Sequence, residues 1–357
     1  MNPDRREHSL DRRSIWLYAE LLLIAAAIVA FAILIWRLSD LLLLVFGAVL
    51  VAVLLRSLSK LVSDHTPLGD AASLAVAGVL IAVVLGGFAA VLGTQLQAQM
   101  ADLAERMPEL LRIAEERFGI VDAEEWIRRR TQDFAEDGGL AMSIFGYSSW
   151  ILGGLANVLL VLVAGIYMAV RPRLYRDGLL ILVPRPSRTE AAETLDAVGG
   201  ALKLWLVGQL AAMILVGTLI SVGLWLIGIP SAFALGFIAG LLEFIPFLGP
   251  VLSAAPAVAI GLTEGPVTAL WVVGLFVLVQ QLEGYLITPL VQQRTVELPP
   301  ALTIFAIVGF AILFGPLGVL FATPLAVVVF VLVKKLWVRD LLQEETDIPG
   351  EKEHERG

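Results

Sequence analysis

Long apolar runs separated by short polar segments dominate the chain. A helix needs about 20 consecutive apolar residues to cross the roughly 30 Å hydrocarbon core of a bilayer. Runs of this length, or somewhat shorter or longer, occupy residues 15–36, 41–55, 71–94, 143–170, 201–227, 231–262, 266–287 and 300–333. We therefore predict an all-α integral membrane protein with about eight transmembrane helices, some of them broken by proline or glycine. Because the break at residues 37–40 is short, we expect the first two helices to form a hairpin.

The polar residues 95–142 interrupt this pattern. Within them, apolar residues recur at intervals of three and four, at Leu103, Met107, Leu110, Leu111, Ala114 and Phe118. That spacing is typical of an amphipathic helix, and we expect a kink or a restart at Pro108. We predict an amphipathic helical segment outside the membrane here.

Basic residues predict which helix ends share one side of the membrane. Arginine and lysine are concentrated in residues 1–14, 56–70, 171–200 and 334–339, which an alternating eight-span path places together. The positive-inside rule assigns that side to the cytoplasm, so we predict two cytoplasmic termini. The predicted first half of the chain is an N-terminus (1–14), three spans (15–94), the amphipathic segment (95–142) and a fourth span (143–170). A basic cytoplasmic loop (171–200), a four-span transport core (201–333) and a cytoplasmic tail (334–357) follow. We predict that the tail is disordered from Gln343 onward.

Composition excludes several functional classes. Of the 357 residues, 58% are hydrophobic and 16% are charged, whereas a soluble domain carries about 25% charged residues. The net charge of −8 reflects acids in polar segments, which we interpret as solvated surface. Cysteine is absent and the three histidines are far apart in the sequence, so we expect no metal site.

Motifs that would indicate an enzyme are missing from the sequence. We find no phosphate-binding loop, no dinucleotide fingerprint and no hydrolase nucleophile elbow. The apolar runs also hold no nucleophile paired with a base. We expect no enzymatic activity, no cofactor and no nucleic-acid partner.

Two acidic residues inside apolar runs are the strongest candidates for a functional site. A charged side chain at the centre of a bilayer costs at least about 2.5 kcal/mol, and Glu243 and Glu283 lie well within such runs. Pro246 and Pro250 follow Glu243, and each proline removes a backbone donor and disfavours helix. Broken backbone is tolerated at this depth only where protein or water satisfies it, as in the binding sites of many transporters.

An amide extends this candidate site. Gln280 lies three residues before Glu283, so the two side chains share one face of a helix. Such a lining can coordinate a polar solute or accept a proton, although hydrogen bonding between packed helices is the alternative. The candidate pathway residues are Glu243, Pro246, Gly249, Pro250, Gln280 and Glu283.

Further helix breaks follow towards the C-terminus. We predict structural breaks at Pro289, Gly315, Pro316, Gly318 and Pro324. Pro300 opens a run that is broken near Gly315, much as Pro230 opens the run that is broken near Gly249. The two runs are candidates for a degenerate repeat, and interruptions at matching positions indicate transport sites. Chance similarity between apolar segments is the alternative.

The residues around these breaks resemble a known family. They read Glu243-Phe-Ile-Pro246-Phe-Leu-Gly249-Pro250, then Gln281-Leu-Glu283 with Pro289 downstream, then Gly315-Pro-Leu-Gly318 and Pro324-Leu325. This combination resembles the autoinducer-2 exporter (AI-2E) family, also called PerM-like permeases. The resemblance implies a homo-oligomeric, eight-span transporter of the bacterial inner membrane that works without ATP. Members of the family are linked to autoinducer-2 export or to sodium/proton antiport.

Three hypotheses follow. The leading one is a secondary transporter that exports a small polar signalling molecule such as autoinducer-2, with Glu243 and Glu283 in its pathway. The second is sodium/proton antiport, because two membrane carboxylates occur without a basic residue at similar depth in the neighbouring spans. The third is a non-transporting scaffold that uses residues 95–142 to recruit partners. The expected partners are membrane lipid, a small polar solute or a cation such as H⁺ or Na⁺, and further copies of the chain.

Overall fold

The structure is a computed structural model that describes residues 18–90 except positions 19, 27, 28, 31, 32, 35, 85, 88 and 89, together with residues 139–287 and 298–351. Its helices are α1 (Ser39–His65), α2 (Asp70–Val84), α3 (Gly139–Val170), α4 (Pro172–Ile181), α5 (Arg188–Ile227), α6 (Ala232–Leu242), α7 (Leu248–Glu264), α8 (Pro266–Leu282) and α9 (Pro300–Leu332). A 3-10 turn (Arg185–Ser187) and two π-helical segments (Glu283–Ile287 and Val333–Leu341) are also present. The predicted N-terminus, nearly all of the amphipathic segment, and Pro289 lie outside the described residues.

The helices confirm the predicted all-α membrane class. Four of them are long and apolar enough to cross a bilayer, and α3 and α4, which bend by 89° at their junction, form a fifth candidate if they count as one span. The described part of the chain contains no strand. The predicted number of about eight spans is not confirmed, and the path of the chain described below changes several of them.

The predicted hairpin at residues 37–40 is wrong. Leu38 has φ −95° and ψ 3°, yet helical hydrogen bonds run across it: the Leu38 amide donates to the Leu34 carbonyl, and the Leu42 amide to the Leu38 carbonyl, each at 2.9 Å. The described residues between positions 18 and 37 are helical as well. The break contains no glycine or proline, so its polar side chains are carried on a continuing helix.

Helices occupy most of residues 171–200, the segment that we predicted as a basic cytoplasmic loop. The 89° bend falls beside Pro172, because proline disfavours helical backbone at the preceding residue. After α4 and the 3-10 turn, α5 begins already at Arg188. The charges that suggested a loop lie on the surfaces of these helices.

The helices α5 and α6 form a tight antiparallel pair. Gly228 ends α5 in the left-handed conformation with φ 86°, which favours glycine. A methyl group at Gly217 would lie 3.0 Å from the Cα of Gly240, so the two backbones are in contact. The 11 residues of α6 extend only about 16 Å, which is too short to cross the membrane.

Contacts along α8 define its direction. Leu275 packs against Gly223, near the turn that joins α5 to α6. Further along, Glu283 interacts with Glu243, at the far end of α6. Therefore α8 runs parallel to α6.

The helix between them, α7, runs in the opposite direction. It joins α8 through a tight turn at Gly265, where Gly261 packs against Ala269. Hence α6 and α7 form a re-entrant helical hairpin, called hairpin 1, whose tip is residues 243–247. Our prediction of a single broken span over residues 231–262 is wrong, because apolar composition does not report chain direction.

A second hairpin forms where α9 folds back on itself. Gly315 has φ 62° and ψ −146°, and the backbone of Gly318 lies against the Phe310 carbonyl. Leu298 is buried in the same cluster as Val331, although a straight helix of 33 residues would keep its ends about 50 Å apart. The arms 300–314 and 316–332 therefore form hairpin 2, with its tip at Gly315.

The two hairpins enter from opposite ends of α5. Hairpin 1 opens towards the Gly228 end of α5. Hairpin 2 opens towards the Arg188 end, because Lys335, just beyond α9, pairs with Glu193. Such opposed, discontinuous helices are a known way of building a site in the middle of a transporter.

The tail packs against the ends of α5 and α9. Ile348 is buried with the core residues of both helices, and Gly350 lies against the backbone of Gly200. Arg339 donates hydrogen bonds to both carboxyl oxygens of Glu351, at 2.8 and 2.5 Å. The prediction of disorder from Gln343 onward is therefore wrong up to residue 351, because the acidic composition did not reveal the basic side chains that pair with it.

Candidate functional site

The tip of hairpin 1 is an irregular turn. Pro246 lies in it, and Phe247 adopts φ 64° and ψ −42°, a strained conformation for a residue with a side chain. Gly249 and Pro250 already belong to the first turn of α7, where backbone amides have no partner within the helix. Pro250 is thus accommodated without a break, whereas Pro246 marks the interruption that we predicted.

Glu243 directly follows α6 and is 2% exposed. Its Oε2 atom is buried and has no hydrogen-bond partner in the described part of the chain. Its backbone carbonyl accepts a hydrogen bond from Nε2 of Gln209 at 2.7 Å. A methyl group at Gly249 would lie 2.9 Å from the Glu243 amide nitrogen. The backbone of Glu243 is therefore held firmly, while its carboxyl group lacks a full set of partners.

Glu283 completes the site from the end of α8. This half-buried residue begins the π-helical segment, a local widening that occurs frequently at functional sites. Its carboxyl group lies within hydrogen-bonding reach of that of Glu243, and its Oε2 accepts a hydrogen bond from Nε2 of Gln280. The structure thus brings together Glu243, Gln280 and Glu283, which the sequence had singled out.

The acid pair, Glu243 and Glu283, has no compensating cation among the described residues, since neither carboxyl forms a salt bridge there. A carboxylate has no hydrogen to donate, so a hydrogen bond between two carboxyl groups requires a proton on one of them. Two adjacent ionised carboxyls repel strongly at low dielectric constant. The pair can therefore hold a proton, bind a cation or accept a hydrogen bond from a polar solute.

The tips of both hairpins pack against one buried cluster. Phe244 of hairpin 1 meets Trp205 of α5 edge to face, with 5.7 Å between the ring centroids. Phe314 and Leu317, on either side of the Gly315 break, pack against the cluster that contains Trp205. Both tips thus border the same buried cluster.

The predicted breaks in hairpin 2 are only partly present. Gly315 is the residue of α9 with non-helical backbone, and Pro316 and Gly318 follow it directly. Pro324 is buried inside the second arm of the hairpin, so its assignment as a break is wrong. Its missing amide interrupts one hydrogen bond without reversing the chain.

Sequence reasoning missed Gln209. This half-buried amide lies in α5 and binds the Glu243 carbonyl across 34 residues of sequence. The available signal was an amide in the apolar run 201–227, a type of residue that often hydrogen-bonds across membrane helices.

No group of three or more metal-ligating side chains occurs within the described ranges.

Comparison with known proteins finds similarity to a family of transporters. A family model described as "AI-2E family transporter" matches residues 22–337. Two similar proteins of Bacillus subtilis (strain 168) are named "Putative transport protein": YueF, 31% identical over 53% of each chain, and YrrI, 28% identical over 47% of each chain. The AI-2 transport protein TqsA of Escherichia coli (strain K12) is 26% identical over 49% of this chain and 51% of its own. The chain thus spans about half the length of these curated relatives.

Proposed function

The chain belongs to the AI-2E transporter family, and we propose that it is a secondary transporter whose acid pair binds the coupling proton or cation. The observation that carries the proposal is the contact between Glu243 and Glu283 at the tip of a re-entrant hairpin, with one buried oxygen of Glu243 lacking a partner in the described residues. Buried polar groups are normally satisfied. A site with an unsatisfied oxygen is suited to a mobile occupant.

The two hairpins support a transport mechanism. The irregular backbone at residues 243–247 and at Gly315 can be satisfied at membrane depth by a cavity or by an occupant. Because the hairpins enter from opposite sides and both pack against one buried cluster, movement of each tip in turn would expose the acid pair to one side and then to the other. No catalytic role is assigned to these carboxyls.

For the transported solute, we propose a small polar molecule of the autoinducer-2 type, moved outwards. TqsA, which is named as an AI-2 transport protein, is the relative that supports this choice. Gln280 and Gln209 supply amide groups close to the acid pair, and amides and carboxyls together suit a ligand that is rich in hydroxyl groups.

Sodium/proton antiport is the second candidate. It is favoured by the acid pair itself, since carboxylate oxygens without a neighbouring cation suit a small hard cation. In that case H⁺ and Na⁺ would compete for the same two side chains. No separate solute site would be needed.

For the cellular setting, we propose the bacterial inner membrane with the C-terminal end of the chain in the cytoplasm. The cytoplasmic N-terminus that we predicted depended on a hairpin at residues 37–40, where the helix instead continues. The basic residues around α4 and the start of α5, and those that follow α9, lie at the same end of the molecule, and the positive-inside rule assigns this end to the cytoplasm. Assembly into a homo-oligomer is part of the same proposal.

Flux measurements on purified protein in proteoliposomes test the proposal. Autoinducer-2 efflux and ²²Na⁺ uptake are each measured with a pH gradient and, separately, with a sodium gradient; empty liposomes are the control. Saturable autoinducer-2 flux that responds to the pH gradient supports the exporter. Sodium flux driven by the pH gradient without autoinducer-2 supports the antiporter. If neither flux exceeds that of empty liposomes, the transport proposal is wrong and the scaffold hypothesis gains.

A further inference from the structure

A large open cavity lies at the basic end of the molecule. Its volume is about 1040 Å³, and it is lined by α1 from Val45 onward, the end of α3, α4 and the N-terminal part of α5. This is at the upper end of the roughly 300–1,000 Å³ typical of ligand pockets. Neither Glu243 nor Glu283 lines it.

Two arginines in the wall of this cavity already have structural partners. Arg56 donates from Nε to the Ala169 carbonyl at 2.5 Å, which caps the end of α3, and forms a salt bridge with Asp70 at 2.9 Å. Arg176 donates hydrogen bonds to both carboxyl oxygens of Asp196, at 2.9 and 2.7 Å. The Arg56 contacts join α1, α2 and α3, and the Arg176 contacts join α4 to α5.

Three further cations in the wall are uncompensated. Lys60, Arg173 and Lys203 line the cavity, and within the described ranges none of them has a salt bridge or a side-chain hydrogen bond. The two acids of the wall, Asp70 and Asp196, are engaged by the two arginines. The cavity therefore presents an excess of three positive charges to whatever occupies it.

The rest of the wall is largely apolar. The exposed leucines of α4 and the residue after it, Leu174, Leu179 and Leu182, line the cavity. The 89° bend turns α4 across the direction of α3. A helix that crosses its span at a right angle and presents both leucines and arginines lies in the plane of the membrane interface.

We propose that this cavity binds an anionic phospholipid, with the phosphate between Lys60, Arg173 and Lys203 and an acyl chain along the leucines of α4. Basic pockets between membrane helices are suited to acidic lipid headgroups. A small soluble anion would use the three cations but would leave the apolar wall without a partner. The site does not depend on the acid pair, so the inference stands or falls separately from the proposed function.

Lipid retention measured by native mass spectrometry tests this site. Full-length protein in detergent micelles is titrated with phosphatidylglycerol, and in parallel with phosphatidylcholine and with glycerol 3-phosphate. The variants are Lys60→Gln, Arg173→Gln, Lys203→Gln and the triple substitution. Arg185→Gln is the matched control, because Arg185 is an exposed arginine close to α4 that does not line the cavity.

Wild type and Arg185→Gln are expected to bind phosphatidylglycerol more tightly than phosphatidylcholine. Each cavity variant should weaken phosphatidylglycerol about fivefold, and the triple variant on the order of 100-fold. Circular dichroism verifies that the helix content is unchanged; if the triple variant does not fold, the single variants decide. Equal binding of the two lipids, or equal phosphatidylglycerol binding by wild type and the cavity variants, overturns the proposal. Glycerol 3-phosphate binding as tight as that of the lipid also overturns it, in favour of a soluble anion.

Discussion

Two clusters of acidic side chains in this protein differ in what surrounds them. In the acid pair, Glu243 and Glu283 meet at the tip of hairpin 1 without a basic partner among the described residues. In the second cluster, which we call the C-terminal clasp, Glu193 and Glu351 lie 3.5 and 3.6 Å from the buried Lys335. The clasp is also closed by Arg339, which binds Glu351.

This difference indicates a structural role for the clasp and supports the functional role that we propose for the acid pair. In the clasp, opposite charges are fixed to one another, so it needs no occupant and ties the tail to α5. A buried charge without a partner is strongly unfavourable, so the acid pair is stable only when a proton, a cation or a hydrogen-bond donor completes it. Removing an acid should therefore abolish activity at the first cluster and reduce stability at the second.

The largest effect is expected for Glu243→Gln. Glutamine keeps the shape of the side chain but cannot take up a proton, so flux driven by the pH gradient should fall on the order of 100-fold or more, as for other proton-transferring groups. The thermal unfolding temperature should not fall, because the substitution removes an uncompensated buried acid. Flux in proteoliposomes and unfolding in detergent measure the two quantities.

Glu264→Gln is the matched control for this substitution. Glu264 ends α7 in the same hairpin, but its side chain is exposed, so flux should stay within about twofold of wild type, as is usual for exposed sites. If Glu243→Gln retains wild-type flux of every solute tested, the acid pair is a packing contact and the comparison with the clasp fails.

A smaller effect is expected for Gly315→Ala at the tip of hairpin 2. The φ of 62° and ψ of −146° lie in a region that is essentially restricted to glycine, and a side chain there costs about 1–3 kcal/mol. We expect a lower unfolding temperature and a loss of flux, because the displaced tip would disturb the buried cluster that Phe314 and Leu317 contact. Hairpin 2 thus differs from both acidic clusters, because it contributes backbone geometry rather than charge.

Gly309→Ala provides the control for Gly315. Gly309 lies in the first arm of the same hairpin, in regular helix, and a methyl group there would meet nothing within 4 Å. Alanine should be neutral or should stabilise the arm by up to about 1 kcal/mol, because it favours helix over glycine. Equal effects at both positions would contradict the assignment of Gly315 to a strained turn.

The sequence predicted the positions of the acid pair and of the helix breaks better than it predicted the path of the chain between them. An acid in an apolar run is a local signal, and so is a proline or a glycine that breaks a helix; Glu243, Glu283, Pro246 and Gly315 were identified in this way. The reversals at hairpins 1 and 2 were not predicted, because a run such as 231–262 has the same composition whether it crosses the membrane or returns.

Long-range pairing accounts for the remaining errors. The tail after Gln343 has the composition of a disordered segment, and nothing near it in sequence shows that Ile348 will enter the core between α5 and α9. Gln209 was missed for the same reason, since its partner, the Glu243 carbonyl, is identified only once α5 and α6 are packed together.

The smallest effect concerns the pH dependence of the clasp. Hydrogen bonding from Arg339 lowers the pKa of Glu351 from its ordinary value of 4.5. A group whose pKa is lowered by folding stabilises the protein fully above its unfolded pKa and loses that contribution as the pH falls through its folded pKa. Glu351→Gln should therefore cost about 1 kcal/mol at neutral pH and progressively less below about pH 4.5. Unfolding temperatures of wild type and variant, measured from pH 7 to pH 3, should converge towards the acid end.

Glu345→Gln, at an exposed tail residue, is the control and should match the unfolding temperature of wild type throughout this range. A difference between Glu351→Gln and wild type that stays constant with pH would show that Glu351 acts through packing and not through its charge.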